Sequence, residues 1–578
     1  MGAFHLVRRA PGQGPGDEIA RAEHSFARQG FGAPERLRAA GCDILLYRKI
    51  VPGRPATLYR GPDGGFVAAT GTLIYRERTG ETALALLARD LAASAIDGGE
   101  LYGNYAVIAA QGGELRLFTD PLDVYHVFHD RDLRIVSSSF LAVIESLPRA
   151  RLATQAAYEY VFQEATYGGA TLAEEIALFD RTRELAIGAG ASLRPLAGRT
   201  PPAPVAPDPA PEAEHVARNL ANLRREFQAI AAAYGDAVDT ALSGGYDSRL
   251  ILALLREQGV TPRVHVYGAD GDADVAVAKR IAAGEGFPLI HTDKSRAPRL
   301  APEEFAALVR RNLDAFHGAP PDGVFENGTD LATRFERAEG GAVALNGGGG
   351  EVFRNFFHLP DRAFTARELV WSFYSRLDPR AIRPPYSARA YEDAMAAKLA
   401  ATAGGGAIMS RAQIEYLYPV FRCGYWMGRN NAINNRLGGA LTPFIDANVV
   451  PAALAVPLAL KNAGRFEAAL IRAVDPRLAA YASAYGHDFA HPPQLKARAA
   501  ERIVLARPPW LRRHTFRLRH RRPEPRPWFL SDAYVGRAID LSFPCVAKLF
   551  DTARIVEAGQ YNRLCTLELL CETHGLRP

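Results

Sequence analysis

The sequence predicts an α+β sandwich over residues 1–198, followed by an α/β domain with a parallel sheet and a helical C-terminal part over residues 212–578. Six prolines within the eleven residues Pro201–Pro211 cannot enter the interior of a sheet or a helix, so they divide the chain. Short β-rich runs dominate before this division, and helical patterns alternate with apolar strands after it. Together, these three observations predict the fold class.

The first part is predicted to consist mostly of strands. Five β-rich runs are bounded by Gly, Asp or Asn and predict strands: Ile44–Lys49, Phe66–Tyr75, Tyr105–Ala110, Leu115–Thr119 and Leu133–Ser138. Two predicted helices, Glu81–Leu91 and Gln155–Glu164, interrupt them. Such a mixture, in which strands outnumber helices, is typical of an α+β sandwich.

The second part begins after a proline-rich connection. Residues 199–211 are predicted to form a semi-rigid linker of polyproline type. Glu212–Tyr234 then places apolar residues at helical spacing and predicts a long helix. A buried strand follows, and glycine-rich turns alternate with helices to about Phe353, which favours a parallel α/β sheet. From about Arg362 onward the pattern is largely helical.

Composition places the 578-residue chain among globular proteins, with 48% hydrophobic and 23% charged residues. This usage excludes a disordered protein, a collagen and a coiled coil. The longest apolar stretch, Val449–Leu460, is interrupted by prolines and is shorter than the ~20 residues of a membrane span. The first nine residues lack the order of a secretory signal, because their apolar stretch precedes their charges.

The five cysteines are widely spaced and include no Cys-x-x-Cys pair. Neither a disulfide framework nor a zinc knuckle is therefore indicated. The protein is expected in a reducing cytoplasm, either free in solution or at the periphery of a membrane.

Positive charge is concentrated in residues 496–526. Eleven Lys or Arg lie there and only Glu501 and Glu524 oppose them, whereas the whole chain carries a net charge of +6. The remainder is therefore net negative, and the basic character is local. Because the stretch mixes arginines with aromatic residues such as Trp510, it fits an anionic surface, an acidic ligand or a solvated loop. No recognised nucleic-acid-binding module accompanies it, so nucleic acid is not expected as a partner.

The most informative run is Ala237–Leu255, which predicts a short buried strand, a Ser-Gly-Gly turn and an amphipathic helix. Glycines allow a close approach of the backbone, and successive N–H groups at a helix N-terminus bind anions. Ser243 and Ser248 add hydroxyl donors. Asp247 places a carboxylate at a site suited to phosphate, for which a bridging Mg²⁺ is the natural partner. No G-x-x-x-x-G-K-[ST] run occurs, which excludes a P-loop kinase or GTPase.

The run Ser243-Gly-Gly-Tyr-Asp-Ser248 resembles the pyrophosphate loop of the N-type ATP pyrophosphatases, and within them the asparagine synthetase-like group. Those enzymes use ATP and Mg²⁺ to adenylate a carboxylate, release pyrophosphate, and let a nitrogen nucleophile displace AMP. Arg263–Gly268 resembles the next strand, where that family contacts adenine through backbone groups. The resemblance implies the following residues at the ATP and pyrophosphate site: Leu242, Ser243, Gly244, Gly245, Asp247, Ser248, Val266, Tyr267, Gly347 and Gly348.

A second glycine loop, Asn346–Glu351, resembles the second loop of the same family, which ends in an acidic residue. The resemblance implies that Glu351 is a metal ligand facing Asp247, in a loop one residue shorter than the usual pattern. Leu441–Asp446 resembles a later segment of the family and has Thr442 where Arg is usual.

The first part is similar to the glutaminase-type domain that is fused to asparagine synthetase, through Leu101–Ala106, Phe118–Asp120 and Ile135–Ser139. In true glutaminases of that type a cysteine follows the initiator Met and becomes the N-terminal nucleophile, whereas this chain has Gly2. Cys42 cannot supply a thiolate and an α-amine on one residue from mid-chain. We therefore predict a degenerate glutaminase-like domain that does not hydrolyse glutamine.

The amine must then come from another source. The chain most resembles lasso peptide cyclases and β-lactam-type synthetases, which implies an ATP-dependent amide ligase and, as one form, a peptide macrolactam cyclase. Its partners would be a carboxylate-bearing substrate and an amine acceptor, either a peptide or a small molecule. Two alternatives stay open: ammonia-dependent amidation of a metabolite or glycan, and a catalytically inactive scaffold of the same fold.

Adenylation needs positive charge to stabilise the phosphorane and the departing AMP. Relatives place a Lys shortly after the segment that matches Phe466–Arg472, and this chain has none there. His487 and Arg354 are the candidate catalytic residues in its place. A His beside Asp488 and Phe489 is also typical of a structural hydrogen-bond hub.

Tyr425 is the third candidate catalytic residue, as a general base. Glu415, Tyr416 and Tyr418 are alternatives, since relatives that cyclise use a Tyr–Glu pair. The polar and aromatic run Arg422–Arg436 has two interpretations: a wall that binds the acceptor, or a polar helix packed between domains.

Overall fold

Two antiparallel sheets face each other in the first part of the chain. The computed structural model describes residues 1–9, 16–54, 56–195, 201–492 and 495–578. The strands of these sheets are β1 Ala3–Arg8, β2 Glu35–Ala39, β3 Cys42–Tyr47, β4 Leu58–Arg60, β5 Phe66–Tyr75, β6 Leu101–Gln111, β7 Glu114–Thr119, β8 Phe128–Asp130, β9 Ile135–Ser137, β10 Ile176–Leu178, β11 Arg183–Ile187 and β12 Ala191–Pro195. Within the described residues, the strand orders are β10-β8-β9-β1-β3-β2 and β12-β11-β7-β6-β5-β4.

Apolar side chains fill the space between these two sheets and also attach helices to their outer faces. The helices of the first part are α1 Asp17–Arg28, α2 Gly80–Ala92, α3 Phe140–Ser146 and α4 Thr154–Gln163. Phe4 of one sheet and Ile108 of the other belong to the same buried cluster. Phe26 of α1 packs on the outer face of the first sheet, and Leu87 of α2 packs on that of the second. The first part is therefore a layered sandwich.

A parallel sheet forms the centre of the second part. The strands of this part are β13 Val238–Ala241, β14 Arg263–Tyr267, β15 Leu289–Thr292, β16 Val343–Leu345, β17 Phe364–Thr365, β18 Ile408–Met409 and β19 Gly439–Leu441. The parallel sheet has the order β15-β14-β13-β16-β19, while β17 and β18 form a separate antiparallel pair.

Helices surround the parallel sheet. They are α5 Glu212–Tyr234, α6 Asp247–Glu257, α7 Ala273–Glu285, α8 Pro302–Ala315, α9 Thr329–Ala338, α10 Ala366–Phe373, α11 Ala388–Thr402, α12 Arg411–Leu417, α13 Gly428–Leu437, α14 Val450–Leu454, α15 Leu458–Lys461, α16 Arg465–Val474, α17 Pro476–Ala480, α18 Leu495–Ala506, α19 Pro509–Arg512, α20 Thr515–Arg519, α21 Asp532–Ala538 and α22 Ala558–His574. A π-helical segment, Tyr418–Met427, joins α12 to α13. Among the helices in the described ranges, none has both the length and the apolar character that crossing a membrane would require.

The predicted mixture of antiparallel strands, a parallel sheet and helices is confirmed. The predicted long helix has the bounds of α5, and the predicted strand Phe66–Tyr75 has those of β5. β19 lies in the region predicted as helical, because its three residues are too few to show a strand pattern. Pro201–Pro211 form neither helix nor strand, and the first two residues of the predicted linker, Arg199 and Thr200, lie outside the described residues.

Buried polar contacts join the two parts. The hydroxyl of Thr72 on β5 donates a hydrogen bond to Oδ1 of Asn435 on α13, at 2.6 Å. Lys49 donates from Nζ to the backbone carbonyls of Asn435 and Gly438, both at 2.8 Å. Lys49 therefore satisfies carbonyl groups at the C-terminal end of α13, where helical partners are absent.

Replacing Lys49 with Met should change how stability depends on pH. Burial lowers the pKa of Lys49 from 10.5 to about 7. Between these values the unfolded chain binds a proton that the folded chain does not, so Lys49 destabilises the fold increasingly as the pH falls towards 7. As the pH is raised from about 7.5 to about 9.5, the free energy of unfolding of the wild type should increase relative to that of Lys49→Met. The increase is at most about 1.4 kcal/mol per pH unit.

The measurement is the apparent melting temperature of each protein across that pH range. Lys279→Met, which removes a half-exposed lysine on α7, is the matched control and should follow the wild type. A melting-temperature difference between wild type and Lys49→Met that does not change with pH would contradict a partly buried amine with a lowered pKa.

Candidate functional site

The two glycine loops meet at one edge of the parallel sheet. β13 is flanked by β14 on one side and β16 on the other, so the order of strands reverses at this point. In open α/β sheets, ligands bind at the carboxyl ends of the strands beside such a switch point. Leu242–Tyr246 follows β13 and Asn346–Gly349 follows β16, so both loops border this crevice.

The first loop donates hydrogen bonds to an internal anion. The N–H of Gly244 donates to Oδ1 of Asp274, at 2.8 Å, and Asp274 lies in the first turn of α7. The N–H of Ser243 donates to Oγ of Ser248 at 2.9 Å, and the two serine hydroxyl oxygens lie 3.0 Å apart. Backbone and hydroxyl donors are thus gathered in a turn that suits negatively charged oxygen atoms.

The second loop packs directly on Asp247 because it carries no side chains. A Cβ atom on Gly347 would lie 3.0 Å from Cβ of Asp247 and 3.2 Å from the backbone nitrogen of Ser248. A Cβ atom on Gly350 would overlap Oδ1 of Asp247. The close approach of this loop to the N-terminus of α6 therefore requires glycine at residue 350 and leaves little room for a side chain at residue 347.

Arg354 lies among three carboxylates at the crevice. One terminal nitrogen of its guanidinium is 2.9 Å from both carboxylate oxygens of Asp247 and 3.4 Å from Oε1 of Glu351. Its Nε atom is 2.9 Å from Oε2 of Glu467 on α16, a residue that is fully buried. Burial and the nearby Asp247 carboxylate raise the pKa of Glu467 well above its usual range, against the opposing effect of Arg354. One guanidinium therefore holds together three acidic groups.

Asp247 and Glu351 are placed so that one cation can contact both, as the shared nitrogen of Arg354 does. In the described part of the chain, no group of three or more His, Cys, Asp or Glu side chains is arranged to hold a metal ion. Mg²⁺ commonly takes one or two protein carboxylates and completes its coordination with phosphate oxygens and water. The two residues fit Mg²⁺ bound together with a phosphate ligand, and they do not fit a metal held by protein ligands alone.

Tyr418, in the π-helical segment, is the general-base candidate that lies at this cluster. Its hydroxyl donates a hydrogen bond to Oε2 of Glu351 at 2.5 Å. Burial raises the pKa of Tyr418 well above its ordinary value, so the phenol keeps its proton and orients Glu351. Glu415 is engaged elsewhere, in ion pairs of 2.7 Å with Arg411 and 3.0 Å with Lys461.

Tyr425, the predicted general base, lies against the first part of the chain, and its catalytic role stays a prediction. Tyr425 packs edge-on against Tyr167, with ring centroids 5.8 Å apart, and forms a hydrogen bond with Arg181 of the first part. Burial raises its pKa, so its hydroxyl keeps its proton. Among the described residues, Tyr425 thus contacts Arg181 and Tyr167 of the first part and the ring of Phe421 in its own segment. The π-helical segment turns Tyr418 towards the glycine loops and Tyr425 away from them.

A turn formed by residues 483–487 covers the first loop. The N–H of Ala484 donates to the carbonyl of Gly244 at 3.1 Å. A Cβ atom on Gly245 would lie only 3.5 Å from the hydroxyl oxygen of Tyr485, which is therefore directly above the loop. This turn occupies the chain segment in which the sequence lacks the expected Lys.

His487 contacts the first loop through Tyr246. Its Nε2 atom lies 3.3 Å from the hydroxyl oxygen of Tyr246. The ring of Tyr246 stacks on Phe489, with centroids 3.9 Å apart. His487 and Tyr246 also line a cavity of about 780 Å³ beneath α18. These contacts are those of a hydrogen-bond hub, and a catalytic role for His487 stays a prediction.

The strand that would contact adenine runs beside the first loop. The parallel pairing of β13 with β14 places Val266 and Tyr267 alongside Leu242 and Ser243. Val266 is buried, whereas Tyr267 is half-buried and has the ammonium group of Lys294 5.0 Å from its ring centroid. The two positions are suitably placed, and adenine binding there stays a prediction.

The asparagines of α13 are paired inside the protein. The side-chain oxygens of Asn430 and Asn434 both accept hydrogen bonds from Arg334. The side-chain oxygen of Asn435 accepts a hydrogen bond from the hydroxyl of Thr72 in the first part. These contacts favour a polar helix packed between the two parts over a wall that binds an acceptor.

Three residues of the site were not predicted from the sequence: Glu467, Asp274 and Tyr485. Glu467 does leave a signal, because it is the one acidic residue in the apolar run Phe466–Ile471 and a buried carboxylate requires a partner. Asp274 and Tyr485 reach the first loop only through the tertiary fold, so no local pattern marks them.

Gly350→Ala should displace Asp247 and lower thermal stability, because the added Cβ atom has no room beside the carboxylate. Overpacking of this kind costs about 1–3 kcal/mol. Gly348→Ala is the matched control: its Cβ atom would lie 2.8 Å from Cε at the flexible end of Met427, which can shift, and 3.3 Å from Oδ1 of Asn346. Thermal denaturation compares the two variants, and equal melting temperatures would contradict the close approach of the loops.

Comparison with known proteins gives only distant similarities. No protein-family model matches the chain, and no curated protein matches it significantly. A solved structure of the allosteric regulatory enzyme of purine biosynthesis is similar at 12% identity over 50% of this chain and 80% of that one, with a TM-score of 0.22. Glutamine phosphoribosylpyrophosphate amidotransferase from B. subtilis, complexed with ADP and GMP, is similar at 12% identity over 50% of this chain and 90% of that one, with a TM-score of 0.21.

Proposed function

We propose that the chain is an ATP-dependent amide ligase that forms AMP and pyrophosphate, adenylating a carboxylate and joining it to an amine. The observation that carries the proposal is the meeting of two glycine loops around Asp247 at the switch point of a parallel sheet. Backbone donors, serine hydroxyls and two carboxylates converge there. This set of groups suits a nucleoside triphosphate bound with Mg²⁺.

In this proposal the first loop binds the phosphate chain of ATP. The N–H of Gly244, which donates to Asp274 in the free chain, would donate to a phosphate oxygen instead. Asp247 and Glu351 would hold Mg²⁺, which when bound supplies positive charge to the phosphate oxygens. The end of β14 would contact the adenine ring.

Arg354 is the cation that this chain offers close to the phosphates. Its guanidinium would turn from Asp247 and Glu351 to phosphate oxygens, while Glu467 continues to hold its Nε atom. A fixed positive charge at this position stabilises negative charge that develops during transfer of the adenylyl group. Arg354 would thereby serve in place of the Lys that the sequence lacks.

The proposed reaction has two steps. A carboxylate oxygen of the substrate forms a bond to the α-phosphorus of ATP as the bond to pyrophosphate breaks. The nitrogen of the amine then forms a bond to the activated carbonyl carbon, AMP leaves, and the amine loses a proton. The glycine loops and the turn at residues 483–487 border the space in which both steps would occur.

The amine is proposed to come from a source other than glutamine. Cys42, on β3, is buried, and burial raises the pKa of its thiol to about 11. A thiol with that pKa is not a thiolate nucleophile at neutral pH. The proposed acceptor is therefore the amine of a peptide, as in a macrolactam cyclase, or of a small molecule. Free ammonia acting with an aspartate-like substrate is the alternative.

A scaffold without catalysis is the second candidate function. Arg354 occupies the space between the two predicted metal ligands, and Tyr485 covers the first loop while remaining 54% exposed. If neither side chain moves, ATP has no access to the loop. ATP binding must therefore be measured separately from turnover.

Asp247→Asn should abolish pyrophosphate release that depends on a carboxylate substrate. Wild type is incubated with ATP, Mg²⁺ and a panel of aspartate with ammonia and acidic peptides with a free N-terminus, and pyrophosphate and AMP are recorded. Asp90→Asn, which alters a buried, ion-paired carboxylate of the first part, is the matched control and should keep activity. Normal ATP binding without turnover would point to a missing substrate, whereas failure of wild type to bind ATP would favour the scaffold.

Arg354→Met should strengthen binding of a divalent cation in the absence of nucleotide. The variant removes the positive charge between Asp247 and Glu351, so we expect about a tenfold lower Kd for Mn²⁺, corresponding to about 1.4 kcal/mol. Mn²⁺ titration followed by electron paramagnetic resonance measures it. Arg465→Met, which removes an arginine at the start of the same helix as Glu467, is the control. An unchanged Kd for Arg354→Met would show that Asp247 and Glu351 do not share a cation.

A further inference from the structure

The helices α18, α19 and α20 carry exposed apolar side chains and arginines close together in the chain. Leu495, Ile503, Trp510 and Leu518 are 80%, 68%, 62% and 47% exposed. Six of the eleven large hydrophobic residues that are exposed in the described chain lie between residues 495 and 518. Scattered exposed hydrophobic residues are ordinary, but such a concentration marks an interaction site. We call these four residues and the cations around them the outer face.

α18 turns its apolar side outward. At 3.6 residues per turn, Leu495, Ala499 and Ile503 fall on one side of the helix, and all three are exposed. Glu501 and Leu505 fall on the other side and are half-buried, and Glu501 accepts a hydrogen bond from the N–H of Ala463 at 2.6 Å. The helix is therefore held to the protein on the side that carries Glu501, while its most apolar side meets the surroundings.

Cations without acidic partners lie in the same stretch of chain as the apolar residues, and two of them, Arg498 and Arg502, line the cavity beneath α18. Arg512 and Arg513 attach this region to the body, Arg512 through the carbonyl of His358 at 2.7 Å and Arg513 through Glu392 at 2.9 Å. Seven other cations form no ion pair with the residues that the structure describes: Lys496, Arg498, Arg502, Arg517, Arg519, Arg521 and Arg522. The positive charge of this region is thus left for an external anion to neutralise.

We propose that the outer face docks the protein on an anionic lipid bilayer. Helices with Trp, Leu and Ile on one side and Lys or Arg beside them lie in the interface of a membrane, where the apolar side chains enter the headgroup region. Lys and Arg near an anionic membrane surface each add about 1 kcal/mol of attraction. A bilayer therefore complements both the apolar and the charged components of this face.

An acidic peptide is the competing occupant, and the shape of the region disfavours it. An extended ligand needs a groove, whereas the apolar residues of the outer face are too exposed to be enclosed by the walls of one, with Leu495 and Ile503 each more than 60% exposed. The concave space near α18 is the cavity of about 780 Å³, whose lining includes Arg498, Glu501, Arg502 and Leu505 but neither Leu495 nor Ile503. Because that cavity adjoins Tyr246, docking would hold the side of the molecule next to the first glycine loop at the membrane. The proposal does not depend on the proposed ligase activity.

The test is co-sedimentation of the full chain with vesicles. Phosphatidylcholine vesicles are compared with vesicles that also contain phosphatidylglycerol, at low salt and at about 0.5 M NaCl. We expect binding only to the anionic vesicles and a loss of most binding at high salt. Equal binding to both kinds of vesicle, or binding to neither, would overturn the proposal.

Two pairs of variants locate the contact. Arg517→Glu/Arg519→Glu should weaken vesicle binding at least about tenfold, whereas Arg21→Glu/Arg280→Glu changes the net charge equally at exposed arginines elsewhere and should bind nearly as the wild type. Ile503→Ser/Trp510→Ser should also weaken binding about tenfold. Ile408→Ser, which removes a 65% exposed apolar side chain outside this face, should not. Equal effects of the test and control variants would overturn the assignment.

A soluble acidic polymer separates the two occupants. Poly-glutamate should compete weakly with anionic vesicles, because it offers charge but no apolar phase. If poly-glutamate binds the wild type tightly, fails to bind Arg517→Glu/Arg519→Glu, and anionic vesicles do not bind, the face recognises an acidic polypeptide and the membrane proposal is wrong.

Discussion

The guanidinium of Arg354 is the contact on which the candidate site depends. Without it, the carboxyl groups of Asp247, Glu351 and the fully buried Glu467 would lose the cation that now contacts all three. Removing one partner from a buried ion pair is costly because the remaining charge is left without compensation. Asp247 follows the first glycine loop and Arg354 follows the second, so the same ion pair also fixes one loop relative to the other. The balance of charge in this crevice and the relative position of its two loops therefore depend on the same ion pair.

The first part of the chain forms hydrogen bonds with the segments next to that crevice, at the end of β19 and on α13. Asn104 on β6 accepts a hydrogen bond from the N–H of Thr442, at 3.1 Å, directly after the edge strand β19. Thr72 and Lys49 bind the neighbouring helix α13. The sandwich therefore helps to position the edge strand of the parallel sheet.

Features encoded by neighbouring residues could be predicted from the sequence, whereas features created by distant segments could not. α5 and β5 follow long, regular patterns, and the donors of the first loop lie within the six residues Ser243–Ser248. β19 is three residues long and shows no pattern. Tyr418 contacts Glu351, whereas Tyr425 contacts the first part, and the sequence could not distinguish the two positions. A π-helical segment widens the turn there, so ordinary helical spacing does not give the direction of either side chain.

The second glycine loop has a consequence for what the crevice can distinguish. From residue 347 to residue 350 it presents only backbone groups, and beside Gly348 its nearest neighbour is the thioether end of Met427. Backbone amides form hydrogen bonds with the oxygen and nitrogen atoms of a ligand. The flexible thioether side chain of Met427 can pack against ligands of many shapes. A loop of this kind has no side chains with which to distinguish one ligand side chain from another. If the proposed function holds, selectivity among substrates comes from segments remote from these loops, and changes in those segments would alter the choice of substrate while leaving the loops intact.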